Sequence, residues 1–394
     1  MSKRAKRKER ETEERRARRS RRRWRLLIRL VVAAIVVALV LLLAFNWNSI
    51  SPGNLLGQIG GWFSGGGGGN GFPLDVSGAP IYTMDTADHC TVLLSDTYVT
   101  MVDTGGNEVM RRTHAFTDPL LRTNEKYVLV AETGGKRFRL ETRSKTVLSK
   151  TLDYNIVTAA VHSNGNVAVV TSSEQGYNAR LSVYASDGRL IYERLCGTLI
   201  SDVAFSPNGK DIAVATLQAE KGTMRSSIEV LSLHSQDNEP LCTYGGNDIL
   251  LLRIAYLNDN VITAIGDSAV WMYHPWKENS CNIYTFSDGE LRAFAIGKSS
   301  VAVVTQAYGA STGGTVSYIG VDGNENAVCA VEGTCRDVAA DGDVYAVLTD
   351  EYVYGYSFGG IGEGKSVTAD SSRVVRIDNR AMVLGLQNLL QCDI

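Results

Sequence analysis

One strand–turn–strand unit, residues 201–216, constrains the fold of this chain most, because degenerate copies of it recur on both sides. Val203 and Phe205 precede a turn cluster, Pro207–Gly209, and an apolar run begins after it at Ile212. Proline presets φ and Asn-Gly accepts positive φ, so this cluster is typical of a tight turn between strands. The unit therefore predicts a pair of antiparallel strands.

The copies align on the first apolar residue of their second strand. These anchor residues are Val92, Val128, Val167, Ile212, Val261, Val301, Val344 and Met382. Their spacing runs from 36 to 49 residues, close to the roughly 40–50 residues of a four-stranded propeller blade. No window after residue 64 holds a sustained helical apolar period. The repeat predicts an all-β fold, a β-propeller of eight four-stranded blades, with seven blades as the alternative.

The predicted blades follow the repeat. They span residues 79–113, 119–151, 156–195, 200–244, 250–286, 291–331 and 334–369, and then 372–394 completed by 72–77. A second signature occurs at Leu94–Val99 and Leu348–Val353, with a shorter version at Ile265–Asp267. We interpret it as the tight turn between strands two and three of a blade.

The last repeat has only three recognisable strands and lacks its outermost one. A ring left open there would expose unpaired strand edges. Residues 72–77 precede the first complete blade, and Pro73 suits an outer edge strand because it lacks a backbone donor. We therefore predict that residues 72–77 pair with residues 389–393 and close the ring.

The first 45 residues differ sharply from the rest. Residues 1–25 carry 14 Lys and Arg against 4 Glu, and Leu26–Phe45 is an apolar run of 20 residues with one charge, Arg29. A helix of this length, at about 1.5 Å per residue, crosses a bilayer once, and the basic flank orients the amino terminus inward. A cleaved signal peptide is the alternative, but it would have a shorter apolar core and a small-residue cleavage site.

The chain is thus divided into a basic cytoplasmic tail (1–25), a transmembrane helix (26–45), a Gly-rich flexible linker (46–71) and an extracytoplasmic propeller (72–394). This organisation predicts a single-pass protein of the cell membrane. A nucleic-acid partner is disfavoured, because the apolar span directly follows the basic tail. The oligomeric state is left open.

Motifs for catalysis or metal binding are not found. The five histidines, His89, His114, His162, His234 and His274, lie in separate repeats without the i, i+2 or i, i+4 spacing of metal ligands. The acidic turns lack calcium-loop spacing. The loop Gly359–Gly364 is not followed by the helix that would bind a phosphate. We predict no catalytic residue, no metal and no cofactor.

Seven cysteines are present, an odd number without any C-x-x-C pair. An extracytoplasmic location permits disulfides. Only Cys329 and Cys335 are close in sequence, and they would lie on an outer strand and the next inner strand, which diverge. We expect buried free thiols, with a Cys329–Cys335 disulfide as the alternative.

Long loops between the second and third strands are the candidate binding face. They carry Tyr177 in 172–178, Lys221 and Arg225 in 218–225, and Tyr308 in 306–314. Such loops meet on one face of a propeller, and these would combine aromatic rings with two cations. The alternative is that they are tolerated insertions.

An aromatic run, Trp271, Tyr273 and Trp276, lies at the opposite end of its repeat. It would form either a second contact patch or part of the packing between blades. The sequence leaves both interpretations open.

Two segments carry a resemblance to known families. Ala204–Lys210 resembles the strand–turn segment of WD40-like, TolB-like and YVTN propellers, and Val102–Glu108 is similar to a blade segment of quinoprotein-like propellers. The whole organisation resembles a family of uncharacterised membrane-anchored propeller proteins of Gram-positive bacteria. The chain lacks the Trp that ends quinoprotein blades and the Gly-His and Trp-Asp pairs of WD40 repeats, so neither family's ligands carry over.

The favoured function is a non-catalytic binding or scaffolding module at the cell envelope, with a protein or another envelope component as partner. A propeller enzyme, either a hydrolase or a quinoprotein-like oxidoreductase with its site at the central channel, is one alternative. A ligand sensor is another. Three or more carboxylates or histidines converging at the channel would favour the enzyme.

Overall fold

The computed structural model describes residues 71–78, 80–173, 176–235, 239–286 and 289–394, and within these ranges the chain is built from strands and turns. In chain order the strands are β1 (Leu74–Asp75), β2 (Ile81–Ala87), β3 (Cys90–Ser95), β4 (Tyr98–Asp103), β5 (Glu108–Thr113), β6 (Pro119–Asn124), β7 (Tyr127–Glu132), β8 (Arg137–Glu141), β9 (Thr146–Thr151), β10 (Ile156–Val161), β11 (Val167–Thr171), β12 (Ala179–Tyr184), β13 (Leu190–Cys196), β14 (Leu199–Phe205), β15 (Asp211–Glu220), β16 (Thr223–Ser232), β17 (Cys242–Asn247), β18 (Leu251–Asn258), β19 (Val261–Gly266), β20 (Ala269–His274), β21 (Ser280–Thr285), β22 (Gly289–Ile296), β23 (Ser300–Ala307), β24 (Gly314–Gly320), β25 (Glu325–Val331), β26 (Cys335–Asp341), β27 (Val344–Thr349), β28 (Tyr352–Ser357), β29 (Gly360–Ile361), β30 (Lys365–Ser366), β31 (Arg373–Ile377), β32 (Arg380–Leu384) and β33 (Asn388–Asp393).

The strands form eight antiparallel sheets, the blades of a propeller. Blades 1 to 6 are β2–β5, β6–β9, β10–β13, β14–β17, β18–β21 and β22–β25; blade 7 is β26–β30, and blade 8 is β31–β33 with β1 outermost. In blade 7 the outermost strand is split into β29 and β30, which both pair with β28. The prediction of eight four-stranded blades is confirmed, and the seven-bladed alternative is wrong.

Two faces of the ring follow from this topology. We name the four strands of a blade A to D, from the central channel outward. Because neighbouring strands are antiparallel, the A–B and C–D turns lie on one face, and the B–C turns and the connections between blades lie on the other. We call these the AB face and the BC face.

The segment 72–77 closes the ring as predicted, but it pairs with residues 387–389, at the start of β33, where the sequence predicted residues 389–393. Leu74 pairs with Leu389, Asp75 pairs with Asn388, and the Val76 N–H donates to Gln387 O at 2.8 Å. The side chain of Leu74 packs with those of Phe72 and Val76 into the apolar cluster shared by blades 8 and 1. The β1 segment therefore supplies both the missing strand and part of the core at the seam.

The core is divided among the eight junctions between blades. Eight apolar clusters occur in the described chain, and each draws its residues from two neighbouring blades. Second strands are the most deeply buried: every residue of β3, β11 and β19 is buried. This explains why the apolar anchors of the repeat lie there. No blade buries its apolar surface without a neighbour.

Turn residues match their predicted roles. Gly209 has φ +68°, and a Cβ there would lie 2.9 Å from the His162 ring of the preceding blade, so glycine permits both the turn and the close approach. The second signature forms B–C turns, where the Asp267 carboxylate accepts the Leu250 N–H at 3.1 Å and the Asp350 carboxylate accepts the Thr334 N–H at 2.8 Å. These aspartates tie each turn to the start of strand A in the same blade.

The basic tail, the predicted transmembrane helix and the linker up to residue 70 lie outside the described residues. Among the residues that are described, no helix has the length and apolar character needed to cross a membrane.

Candidate functional site: the central channel and its mouth

The innermost strands surround a channel that contains a cavity of about 480 Å³. Blades 1, 5, 6, 7 and 8 line this cavity with both charged and apolar side chains. The charged ones are Asp85, Arg253, Asp337, Arg373 and Arg376. The channel is therefore where an acid, a base or an anion-binding group would be sought.

Asp202, on the inner strand β14, is the centre of a polar network. Its side chain is 1% exposed. Its Oδ1 lies 3.6 Å from an Arg253 nitrogen and 3.8 Å from an Arg122 nitrogen, and its Oδ2 accepts the Ile254 N–H at 3.0 Å. The Thr158 hydroxyl also donates to Oδ1, at 3.5 Å. One carboxylate thus connects blades 2, 3, 4 and 5.

Asp85 completes this network from blade 1. Burial raises its pKa, while hydrogen bonds from Thr123 and Thr86 and the charges of Arg253 and Arg122 oppose that rise. Burial, followed by the positive charge of Arg253, lowers the pKa of Arg122 to about 10. Two carboxyl groups therefore face two guanidinium groups.

Asp337 repeats the role of Asp202 on the other side of the ring. Its Oδ2 accepts the Val374 N–H of the next blade at 3.0 Å, as Asp202 does with Ile254. In both cases an arginine, Arg373 or Arg253, directly precedes the residue that donates its N–H. Sequence reasoning missed this pair, although each aspartate begins the same tripeptide, Asp-Val-Ala.

Titration of Asp337 should be visible in stability. Burial raises its pKa from 3.8 to about 6, against the hydrogen bond from Val374 and the charge of Arg373. Because the folded-state pKa is the higher one, the carboxyl's contribution is fully present below about pH 4 and is lost as the pH rises through about 6. Ionised Asp337 therefore makes the folded protein less stable than protonated Asp337 does.

Asp337→Asn keeps an acceptor for the Val374 N–H but cannot ionise. We expect its free energy of unfolding, relative to the wild type, to rise by about 2–3 kcal/mol between about pH 4 and pH 7. Chemical unfolding at several pH values measures this difference. Asp393→Asn, whose side chain is 85% exposed, is the control. A difference that does not change with pH would contradict the assignment.

The histidines do not join the channel. His114 Nε2 lies 3.0 Å from Ser95 O, while its Nδ1 accepts the Phe116 N–H. His162 Nε2 lies 3.1 Å from Pro207 O. These contacts fix turns and blade connections. Within the described part of the chain, no three His, Cys, Asp or Glu side chains are placed to hold a metal ion.

Cys329 and Cys335 lie on different strands. Cys329 is on β25, the outermost strand of blade 6, and Cys335 is on β26, the innermost strand of blade 7. All seven cysteines are free thiols. Burial raises the pKa of Cys335 to about 12, which keeps its thiol protonated.

The four predicted loop residues all lie on the BC face, but not in consecutive blades. Tyr177 is in blade 3, Lys221 and Arg225 are in blade 4, and Tyr308 is in blade 6. Tyr177 is 43% exposed and Tyr308 73% exposed. Blade 5, between blades 4 and 6, has only the short turn from Gly266 to Ala269. The loops are therefore not all neighbours.

The aromatic run does not form one patch. Trp271 and Tyr273 are buried, and Tyr244 of blade 4 packs against both rings, at 5.2 and 5.5 Å between centroids. Trp276 is 48% exposed, and its indole N–H donates to Asp259 O at 3.1 Å. Packing between blades accounts for the first two residues, so only Trp276 is available on the AB face.

A surface that sequence reasoning missed surrounds the channel on the BC face. Six inner strands carry a β-bulge near their start, marked by register shifts. The bulged residues are Tyr82, Val157, Ser201, Leu252, Arg292 and Arg336. Three of them are large exposed apolar residues: Tyr82 at 48%, Val157 at 46% and Leu252 at 44%. A bulge re-aims a side chain, but one extra residue leaves no clear mark in the sequence.

A comparison with known protein families identifies the family of this chain. Residues 82–384 match the family described as "Family of unknown function (DUF5711)". The chain belongs to the DUF5711 family. A comparison with curated proteins gives no significant match.

Solved structures resemble this DUF5711 propeller in fold. BamB from Moraxella catarrhalis is 11% identical, with a TM-score of 0.50 over 79% of this chain and 96% of that one. The Cps50 (Swd1) β-propeller domain of Myceliophteria thermophila is 10% identical, with a TM-score of 0.53 over 81% of this chain and 99% of that one. At such identities the likeness establishes the propeller fold alone.

Proposed function

We propose that this DUF5711 protein is a membrane-anchored, non-catalytic binding module whose propeller presents its faces to protein partners at the cell envelope. The proposal is supported by one observation: the channel carboxylates contact other groups of the ring itself. Asp202 and Asp337 each accept a backbone N–H from the next blade, and Asp85 faces two arginines. Groups engaged in this way hold the ring together, so binding is assigned to the faces.

The membrane anchor rests on the sequence. Leu26–Phe45 has the length and composition of one bilayer crossing, and the basic residues before it favour a cytoplasmic amino terminus. The propeller then lies outside the cytoplasm. A rigid ring with exposed loops is suited to binding, because the scaffold fixes the loops without needing to move.

The enzyme alternative requires a group that can exchange a proton with a substrate. Asp337 comes closest, since burial raises its pKa to about 6. However, its Oδ2 accepts the Val374 N–H across the contact between blades 7 and 8, so this carboxyl already has a structural role. The binding function is therefore the better supported of the two.

Photo-crosslinking of the full chain in its own membrane tests this proposal. A photoreactive amino acid is introduced on the BC face at Tyr82 or Tyr308, and on the AB face at Trp276, all exposed positions. We expect a defined protein adduct from at least one face, identified by mass spectrometry. The buried position Val214 serves as the control and should give none. Absence of an adduct at every exposed position, or adducts with cytoplasmic proteins only, would overturn the proposal.

A further inference from the structure

The BC face between blades 7, 8 and 1 carries a concave surface that we call the BC mouth. Its main depression, of about 650 Å³, is lined by Tyr82, Arg336, Arg373 and Leu386, with the segment 369–372 between them. Leu386 is 80% exposed and Tyr82 48% exposed. Apolar side chains this exposed, grouped in one depression, mark an interaction site more often than scattered ones do.

A second, more apolar cleft adjoins the first. It holds about 350 Å³ and is lined by Leu74, Val76, Ile81 and Leu93, with Tyr98 at its edge. Ile81 lines both cavities, so the two adjoin at this residue. The cleft lies beside the β1 seam and is suited to one or two apolar side chains of a ligand.

In the main depression two arginines, Arg336 and Arg373, lie with one carboxylate, Asp370. The adjoining cleft adds Asp75 and an ion pair of Glu108 with Arg111, at 2.7 Å. Arg336 and Arg373 are exposed, and neither has a carboxylate oxygen within 4 Å in the described chain. By contrast, Arg292 pairs with Glu290 at 2.6 Å, and Arg253 lies 3.6 Å from Asp202. The carboxylate that lines this depression belongs to Asp370, and it accepts the Leu386 N–H at 2.8 Å.

A hydrogen bond from the Thr368 side chain, followed by that from the Leu386 N–H, lowers the pKa of Asp370. Asp370 is therefore held as a turn residue. Arg336 and Arg373 thus lie beside the depression without an ion pair within 4 Å, and the charge of Arg373 also acts on Asp337. Guanidinium is the cation best matched to a carboxylate, because its fork can donate two parallel hydrogen bonds.

We propose that the BC mouth binds an extended segment of a partner protein that carries apolar side chains next to Asp or Glu. This inference rests on the proposed binding function and assigns it a surface and a partner chemistry. The apolar side chains occupy the cleft and cover Tyr82 and Leu386, and the carboxylates pair with Arg336 and Arg373. A nucleic acid would pair its phosphates with the arginines and stack a base on Tyr82, but it has no aliphatic side chain to fill the cleft, so the cleft favours a peptide.

The placement of the chain supports a partner over a segment of the protein itself. Gly71 lies on the AB face, against Gly106 of the C–D turn of blade 1, so the chain enters the ring opposite the BC mouth. The basic residues 1–25 also have the same sign of charge as the two arginines. Like charges in an interface disfavour that occupant.

Selection from a random peptide library tests the inference. The target is the full chain in detergent micelles, and the probes are displayed peptides of about 12 residues, which extend roughly 40 Å. We expect enriched peptides to combine Asp or Glu with Leu, Ile or Phe. Their affinity should fall about tenfold or more in Arg336→Gln/Arg373→Gln, and should weaken as NaCl rises from about 0.05 to 0.5 M.

Two matched variants separate the site from general effects. Arg189→Gln/Lys298→Gln removes the same charge from exposed positions on the AB face and should leave binding unchanged. Leu386→Ser changes a residue that is 80% exposed, so folding is preserved, and should weaken binding several-fold.

Three outcomes overturn the inference: enriched peptides without acidic residues, equal binding to the Gln/Gln variant at positions 336 and 373, or tighter binding of a single-stranded oligonucleotide than of the peptides through the same arginines.

Failure of the proposed binding function would give a different crosslinking result. If photo-crosslinks form at Tyr308 or Trp276 and not at Tyr82, the protein is a binding module that uses another surface. If no position crosslinks, the binding function itself fails.

Discussion

Asp202→Ala is expected to lower the free energy of unfolding by about 3–5 kcal/mol, because it leaves a buried charge network without its central carboxylate. Asp202 is 1% exposed, and side-chain nitrogens of both Arg122 and Arg253 lie within 4 Å of its carboxylate. Burial already disfavours the charge of Arg122, whose pKa is lowered to about 10. The substitution also leaves the Ile254 N–H without its acceptor.

A graded series separates these contributions. Asp202→Asn keeps an oxygen for the Ile254 N–H and removes only the charge. Its free energy of unfolding should therefore fall by less, about 1–3 kcal/mol. Asp187→Ala is the matched control, because Asp187 is 65% exposed, lies 3.9 Å from an Arg189 side-chain nitrogen and accepts the Arg189 N–H at 2.9 Å, so it should change stability by about 1 kcal/mol or less.

Urea unfolding of the full chain in detergent, followed by circular dichroism, measures all three variants. If Asp202→Ala lowers the free energy of unfolding no more than Asp187→Ala does, the network does not join blades 2 to 5. The Asp202 carboxylate would then be free for another role. That result would also weaken the argument for a non-catalytic function.

The blades could be predicted from the sequence because the buried apolar positions and the turn residues both recur within each short repeat. Val92, Val128 and Val167 are each fully buried in a second strand, so the apolar period reports the architecture directly. The Asn-Gly turns needed no tertiary information, since glycine adopts positive φ without strain, as Gly165 (φ +88°) and Gly209 (φ +68°) do. Closure by residues 72–77 followed from counting strands in the last repeat.

The channel network could not be predicted in this way. Asp85, Arg122, Asp202 and Arg253 are far apart in sequence and meet only because the ring brings four inner strands together. The strand period does place Trp271 and Tyr273 on one side of β20, but both sides of this strand are buried between blades, which the alternation alone does not indicate. The bulges that expose Tyr82 and Leu252 depend on strand register, which one sequence does not reveal.

Replacing residues 72–76 with alternating Gly and Ser of the same length is expected to lower the free energy of unfolding by about 3–5 kcal/mol. Three apolar side chains leave the cluster between blades 8 and 1, at about 1 kcal/mol each for partly buried groups. The pairings of Leu74 with Leu389 and Asp75 with Asn388 are also lost. β33 then becomes an unpaired edge, which favours association between molecules.

Two measurements check this expectation: the urea midpoint of the full chain and its mass by light scattering in detergent. The same replacement of residues 309–313, a loop between β23 and β24, keeps Gly309 and Gly313 and is the control. We expect the seam variant alone to unfold at lower urea and to form dimers or larger species. Equal midpoints for the two variants would mean that the ring holds without its closing strand, and that the other seven blade junctions, not the seam, set the stability of this propeller.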